Sequence, residues 1–172
     1  FDSQIKAVSD KNGIYILENI EEGNTDLEAV ADNMVFEPLT NIQLSPRVPQ
    51  IQDIVVSEYY LSGKITIEQD YNVGKRTVTL VETETRKERT TITDDSGRYK
   101  FEVKPGSYKV FPLLTQQEKV SDLHLQPEYY EMTIEDAPVL NANFYQSKVT
   151  LKGKIECIKS TCDKDIKVKL IP

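Results

Sequence analysis

Four groups of side chains in this 172-residue chain have types and spacings that could support chemistry. His124, the only histidine, could act as a general acid or base if the fold set a nucleophile or carboxylate beside it. It sits between Leu123 and Leu125 with no nucleophile motif nearby, and reads as a surface or loop residue. Asp94 and Asp95 could offer oxygens to calcium, yet the spaced acidic pattern and distal bidentate glutamate of an EF-hand loop are missing. The run Asp94-Asp95-Ser96-Gly97 instead has the chemistry of a turn, with acidic and hydroxyl side chains to bond the backbone and a glycine to accept positive φ. The third group, Glu82 to Arg89, mixes acids and bases between two strand-like segments, as a recognition hairpin or a solvated turn does. The fourth is the pair Cys157 and Cys162, which brackets a short connection between alternating segments. In an oxidising compartment it would close a disulfide; in a reducing one it would be two thiols, with no second Cys or His pair to complete a zinc site. No catalytic residue, cofactor or metal is expected from these groups, and an isopeptide bond between a lysine and an Asn or Asp across the core is a further covalent option.

The elements that must position these residues are strands. Arg98 to Val103 alternates Tyr99, Phe101 and Val103 with charged neighbours, and Tyr108 and Val110 alternate with Ser107 and Lys109. Val78 and Leu80 are expected on one face of their strand, with Thr77 and Thr79 on the other. Lys104-Pro105-Gly106-Ser107 has the residues of a type II turn, proline second and glycine third. Short strands punctuated every 8–12 residues or so, with no convincing amphipathic helix, predict an all-β antiparallel sandwich of the immunoglobulin-like or transthyretin-like kind.

The strand phrases occur twice. Asp94, Gly97, Tyr99, Phe101, Pro105, Gly106 and Tyr108 have an earlier counterpart in Asp10, Gly13, Tyr15, Leu17, Glu22 and Gly23. Leu61-Ser62-Gly63-Lys64-Ile65 returns as Leu151-Lys152-Gly153-Lys154-Ile155. A period of roughly 85–90 residues marks tandem units. Residues 1–57 read as the C-terminal part of one unit, 58–146 as a complete unit, and 147–172 as the first strands of the next. Residues 51–56 are expected to form a strand running almost directly into the next, so neighbouring units should have restricted orientations. The pairs Tyr59-Tyr60 and Tyr129-Tyr130, near the unit junctions, could anchor an interface or pack neighbouring units together. The incomplete end units could also complete one another between molecules by strand donation.

A formal charge of −7 with both signs interspersed argues against nucleic-acid binding. No run of 18 apolar residues exists, so no direct membrane insertion by a helix of this stretch is expected. No secretory leader opens the sequence, which places targeting information outside it, and no Asn-x-Ser/Thr acceptor occurs.

The Asp-x-x-Gly-x-Tyr-x-Phe turn and strand, followed by Pro-Gly-x-Tyr-x-Val, resembles the carboxypeptidase-regulatory, transthyretin-like and CnaB-like group of β-sandwiches. Taken with Ile5-Lys6, Gly13, Leu17-Glu18-Asn19-Ile20, the Gly63 phrase, Leu123-His124-Leu125-Gln126-Pro127 and Gly153-Lys154-Ile155-Glu156-Cys157 with Cys162, the chain resembles the Nodal modulator (NOMO) family from near residue 5 to near residue 170. The spacing of the two cysteines is longer than that family implies. The resemblance implies a non-enzymatic segment of a luminal rod in a single-pass endoplasmic-reticulum membrane protein. Its implied partners are nicalin and a small polytopic membrane protein, in a complex that assists the translocon with multipass membrane proteins; Nodal signalling and reticulum sheet spacing are further links of the family. The competing readings are an accessory domain of a secreted metallocarboxypeptidase and a bacterial surface stalk.

Overall fold

Alternating apolar residues give strands here, and the strands stack as two layers. The computed structural model describes residues 7–47, 50–67, 75–120, 123–147, 151–156 and 166–171. In chain order the elements are β1 (Gly23–Leu27), β2 (Met34–Phe36), β3 (Leu39–Leu44), β4 (Val56–Thr66), β5 (Thr77–Glu82), β6 (Glu88–Ile92), β7 (Arg98–Val103) and β8 (Gly106–Pro112). The short helix α1 (Gln116–Val120) precedes β9 (Leu125–Gln126), β10 (Tyr130–Ile134) and β11 (Phe144–Gln146).

One layer runs β2-β4-β11-β9, with β7 along the other edge of β4; the second runs β10-β8-β5-β6. A two-stranded sheet, β1-β3, stands apart from both. Every pairing is antiparallel except β11 with β4. Leu61, Ile65, Tyr99, Phe101, Val103 and Phe144 from the first layer meet Val78, Leu80, Tyr108, Val110 and Ile134 from the second in one buried cluster. Each large apolar side chain enclosed there contributes about 1.5–3 kcal/mol, which makes this interface the main source of stability. The all-β sandwich class expected from alternation is the one found.

Val78 and Leu80 face the core, and Thr79 on the other face is also buried, at 4 % exposure, beside the aromatic Phe111 directly opposite on β8. Three local expectations are corrected. Gly106 lies outside the left-handed region and opens β8 opposite Ile134, so Lys104 to Ser107 forms no type II turn. There the Tyr108 hydroxyl donates to the Lys104 carbonyl at 2.8 Å across the bend. Residues 51–55 form no strand; extension begins at Val56 and continues unbroken to Thr66. The early copy at residues 14–17 has no ladder although it alternates like β7, since no strand lies alongside it among the described residues. Residues 51–55 flank the sheet edge, where Glu37 N–H donates to the Val55 carbonyl at 3.1 Å.

The helix was not foreseen, though Thr115-Gln116-Gln117-Glu118 carries its signal. The Glu118 N–H donates to Thr115 Oγ1 at 3.3 Å while the Thr115 N–H donates to Glu118 Oε2 at 2.8 Å, a reciprocal capping box. One turn is too short for an amphipathic period to register.

Candidate functional site

The Asp94 turn is built from hydrogen bonds to a single oxygen. Asp94 Oδ1 accepts from Ser96 N–H at 2.9 Å, Ser96 Oγ–H at 2.7 Å and Arg98 N–H at 2.8 Å. The Asp94 N–H donates to the Arg98 carbonyl, and Gly97 N–H donates back to the Asp94 carbonyl. Hydrogen bonds from the Ser96 hydroxyl and the Arg98 N–H hold this carboxyl below the ordinary value of 3.8. The oxygen is occupied by the turn, and among the described residues no cluster of three or more His, Cys, Asp or Glu side chains is placed to hold a metal.

The same turn is present at Asp10. There Oδ1 accepts from Asn12 N–H at 2.8 Å and Ile14 N–H at 2.9 Å, Asp10 N–H donates to the Ile14 carbonyl, and Gly13 N–H donates to the Asp10 carbonyl. Both glycines have φ of 80°. The backbone N–H of Ile14, then that of Asn12, lower the Asp10 carboxyl in turn. The repeat read from residue types is therefore a repeat of backbone geometry.

The two repeated phrases pair with each other. In the β4–β7 ladder Leu61 faces Phe101, Ser62 faces Lys100, Gly63 faces Tyr99 and Lys64 faces Arg98. Gly63 is needed for a reason that spacing alone does not reveal. The segment after Val139 crosses beside β4, with Ser62 N–H donating to the Val139 carbonyl and Ala142 N–H to the Ser62 carbonyl. A Cβ on Gly63 would lie 2.0 Å from the Ala142 carbonyl oxygen and 2.8 Å from the Tyr99 hydroxyl oxygen. The Tyr99 hydroxyl donates to that same Ala142 carbonyl, and burial raises its pKa further above the ordinary tyrosine range. Gly97 is as constrained: its carbonyl accepts Ile65 N–H at 2.8 Å, and a Cβ there would meet the Ile65 carbonyl oxygen at 2.4 Å. Phe101 and Tyr108 fill the core, while Pro105 lies in the bend before β8. Gly153, the second copy of Gly63, has nothing within 4 Å of its missing side chain.

The remaining candidates scatter. His124 is exposed just before β9, and its carbonyl accepts Ser147 N–H at 2.8 Å. Cys157, Cys162, Ile5 and Lys6 lie outside the described residues. The Glu82–Arg89 run is the exposed β5–β6 hairpin tip, where Arg86 takes φ of 57° and Glu82 N–H closes on the Lys87 carbonyl. The tyrosine pairs divide between core and surface. Tyr59 is buried and Tyr130 donates to the Asn143 carbonyl at 2.9 Å, while Tyr60 and Tyr129 carry the ammonium groups of Lys100 and Lys109 over their rings at 3.9 and 3.5 Å.

One polar feature escaped sequence reading. Arg76 Nη2 and Glu118 Oε1 form a buried ion pair, with side chains 6 % and 11 % exposed, that ties α1 to the residue before β5. Burial pushes the Glu118 carboxyl up, but the hydrogen bonds from Arg76 and Thr115 and the Arg76 charge outweigh it and leave it below its ordinary 4.5. Thr93 Oγ1 accepts Arg76 N–H at 2.9 Å and Arg76 accepts Thr93 N–H at its carbonyl, closing the start of β5 onto the end of β6. No spacing rule joins positions 76 and 118, so only the sandwich brings them together.

An open groove of about 740 Å³ is lined by Ser62, Lys64, Arg98, Lys100, Leu140 and Asn143 among others. What this arrangement does is hold strands in register.

Residues 60–144 match the family described as the NOMO fifth transthyretin-like domain. Over 165 residues, 93 % of this chain, the sequence is 32 % identical to the BOS complex subunit NOMO2 of Homo sapiens. It is 30 % identical to the BOS complex subunit NOMO1 of Homo sapiens and to that of Mus musculus over the same share. The chain spans 13 % of the length of these relatives.

Proposed function

Because this chain belongs to the NOMO family, we propose that it is a non-enzymatic scaffold segment of a luminal rod of β-sandwich units in the endoplasmic reticulum. The observation that carries this reading is β4. Its first residues pair with β2, Phe36 facing Val56 and Met34 facing Tyr59, and the same strand continues into the β7 ladder from Tyr59 to Lys64. A strand shared in this way leaves no flexible linker between β2 and β7; on this reading residues 1–57, 58–146 and 147–172 are consecutive units.

The scaffold is a part of a BOS-type complex, as its relatives are subunits of one. Its partners there are nicalin and a small polytopic membrane protein, and the complex serves multipass membrane-protein biogenesis at the translocon. The membrane span of the whole protein lies outside these residues, and the Cys157–Cys162 pair is oxidised in the lumen.

Glycosylation tests the compartment. Thr83→Asn creates an Asn-Glu-Thr acceptor at the exposed β5–β6 tip. Expressed within the full-length protein in cells, this variant is expected to gain one endoglycosidase-sensitive glycan and to co-purify with the nicalin-type subunit. An unglycosylated variant from a microsomal fraction, or a glycosylated one that brings down no such subunit, overturns the proposal in its compartment or its partner respectively.

A further inference from the structure

The β4–β7 ladder sets two cations against each other. Lys64 faces Arg98, so both side chains stand on the same outer face of the sheet. The Lys64 N–H donates to Asn143 Oδ1 and the Arg98 N–H to Asp94 Oδ1, each at 2.8 Å, which makes them the closer, non-hydrogen-bonded kind of antiparallel pair. Like charges directly opposite destabilise a sheet. Neither side chain has a carboxylate in ion-pair contact among the described residues. Lys100, two residues along β7, is shared between the Tyr60 ring at 3.9 Å and Glu102 at 3.8 Å. In a chain of net charge −7, three cations thus line one groove whose lining includes a single acid, Asp94, with one oxygen already filled by its own turn.

The same stretch of β7 keeps an open edge. Ser62, opposite Lys100, gives its N–H to the Val139 carbonyl and takes the Ala142 N–H at its own carbonyl, so the Lys100 N–H and carbonyl point away from β4. Among the described residues β7 pairs with β4 alone. The edge is closed on either side of Lys100: the Asp94 turn takes the Arg98 N–H and carbonyl, and Arg89 Nη1 donates to the Glu102 carbonyl at 2.9 Å. What stays open therefore lies beside the cations. Arg98 and Lys100 occupy alternate positions about 6–7 Å apart along β7, the spacing of alternate side chains on any other strand.

We propose that this groove docks an extended acidic segment of a partner protein, its backbone pairing with Lys100 and its carboxylates, on alternate residues, meeting Lys100 and the Lys64–Arg98 pair in turn. The occupant is a polypeptide because only a polypeptide brings N–H and carbonyl groups to Lys100 at the spacing that also serves the cations. The exposed apolar side chains of Leu140 and Ile92, which also line the groove, give such a segment contacts that a sulfated sugar would not use. A bound carboxylate supplies the counter-charge that the Lys64–Arg98 pair lacks. The surface belongs to the middle sandwich and does not depend on the compartment.

The test uses the full-length protein and a labelled synthetic peptide of alternating Glu and Thr, with a control of the same composition that has its glutamates in one block. Fluorescence anisotropy is expected to show the alternating peptide binding more tightly than the block control, and Lys64→Gln with Arg98→Gln weakening it at least about tenfold. Both residues are exposed and their pairing is repulsive, so amide exchange across β4 and β7 in the free double variant is expected to be no faster than in wild type. In wild type the alternating peptide is expected to slow exchange at the Lys100 N–H. Absence of binding, equal binding by the block control or by the double variant, or unchanged exchange at Lys100 overturns the proposal. So does faster exchange in the free double variant, which would make the cations structural, and so does a heparin oligosaccharide that binds through Lys64 and Arg98 more tightly than the peptide.

Discussion

Gly13 and Gly97 have the same φ of 80° and each donates its N–H to the carbonyl of the aspartate three residues before it, yet their surroundings differ. Replacing either with alanine costs about 1–2 kcal/mol in left-handed backbone strain. At Gly97 a second cost follows, because the new Cβ meets the Ile65 carbonyl at 2.4 Å, while at Gly13 there is open space. Urea denaturation is therefore expected to show Gly97→Ala lowering the stability of the middle sandwich by about 3 kcal/mol or more, with Gly13→Ala leaving it unchanged. Gly63→Ala belongs with Gly97→Ala, since β4 and the Ala142 carbonyl cannot separate without losing the Ser62 hydrogen bonds. The carboxyls give a pH dependence at this same scale. Asp10, Asp94 and Glu118 are lowered in the folded state, so the stability they confer is fully present above their ordinary values of 3.8, 3.8 and 4.5 and is lost as pH falls through the lowered ones. The urea midpoint is expected to drop on acidification from about pH 6 to about pH 3, with Asp94→Asn reducing the slope; an Asp94→Asn slope equal to wild type would contradict this.

Among the elements, α1 depends on one ion pair. Glu118 caps its own helix through Thr115 and neutralises Arg76, whose Nε and Nη1 are buried without a hydrogen-bond partner among the described residues. Glu118→Gln leaves the guanidinium uncompensated and is expected to cost about 3 kcal/mol, whereas Arg76→Met with Glu118→Leu recovers most of that loss. A double variant no more stable than the single, by thermal melting, would show that the pair stabilises by more than mutual neutralisation. The strands themselves were legible from alternation: Tyr99, Phe101 and Val103 point inward as their spacing requires. The burial of Thr79 and the conformation of Gly106 were not legible, because Thr79 is covered by Phe111 across the β5–β8 pair and a glycine after proline serves an extended ladder as readily as a turn.

At the scale of the whole molecule, the junction is a strand. Tyr60 N–H donates to the Asn33 carbonyl at 3.0 Å, and Ser57 Oγ–H to the Val35 carbonyl at 3.1 Å, so the start of β4 is bound to residues 33–36 while its remainder pairs with β7. Inserting Gly-Ser between Ser57 and Glu58 is expected to release β2 and to speed amide exchange at Tyr60 at least about tenfold, with the β5–β8 ladder protected as before. Protection retained at Tyr60 would mean that β2 is held by something other than this register.

The repeat period, the strand alternation and the turn residues were written in the sequence because each is a local or periodic property: a glycine at positive φ, an aspartate that bonds its own turn, a side chain on every second position. Family membership followed the same periodic anchors. The tertiary structure alone decided what the anchors do to one another. That Gly63 faces Tyr99 under the Ala142 carbonyl, that Arg76 reaches Glu118, and that β4 pairs with both β2 and β7 are contacts between residues far apart in the chain. Register and layer packing select such contacts, and neither is fixed by a residue's neighbours in sequence.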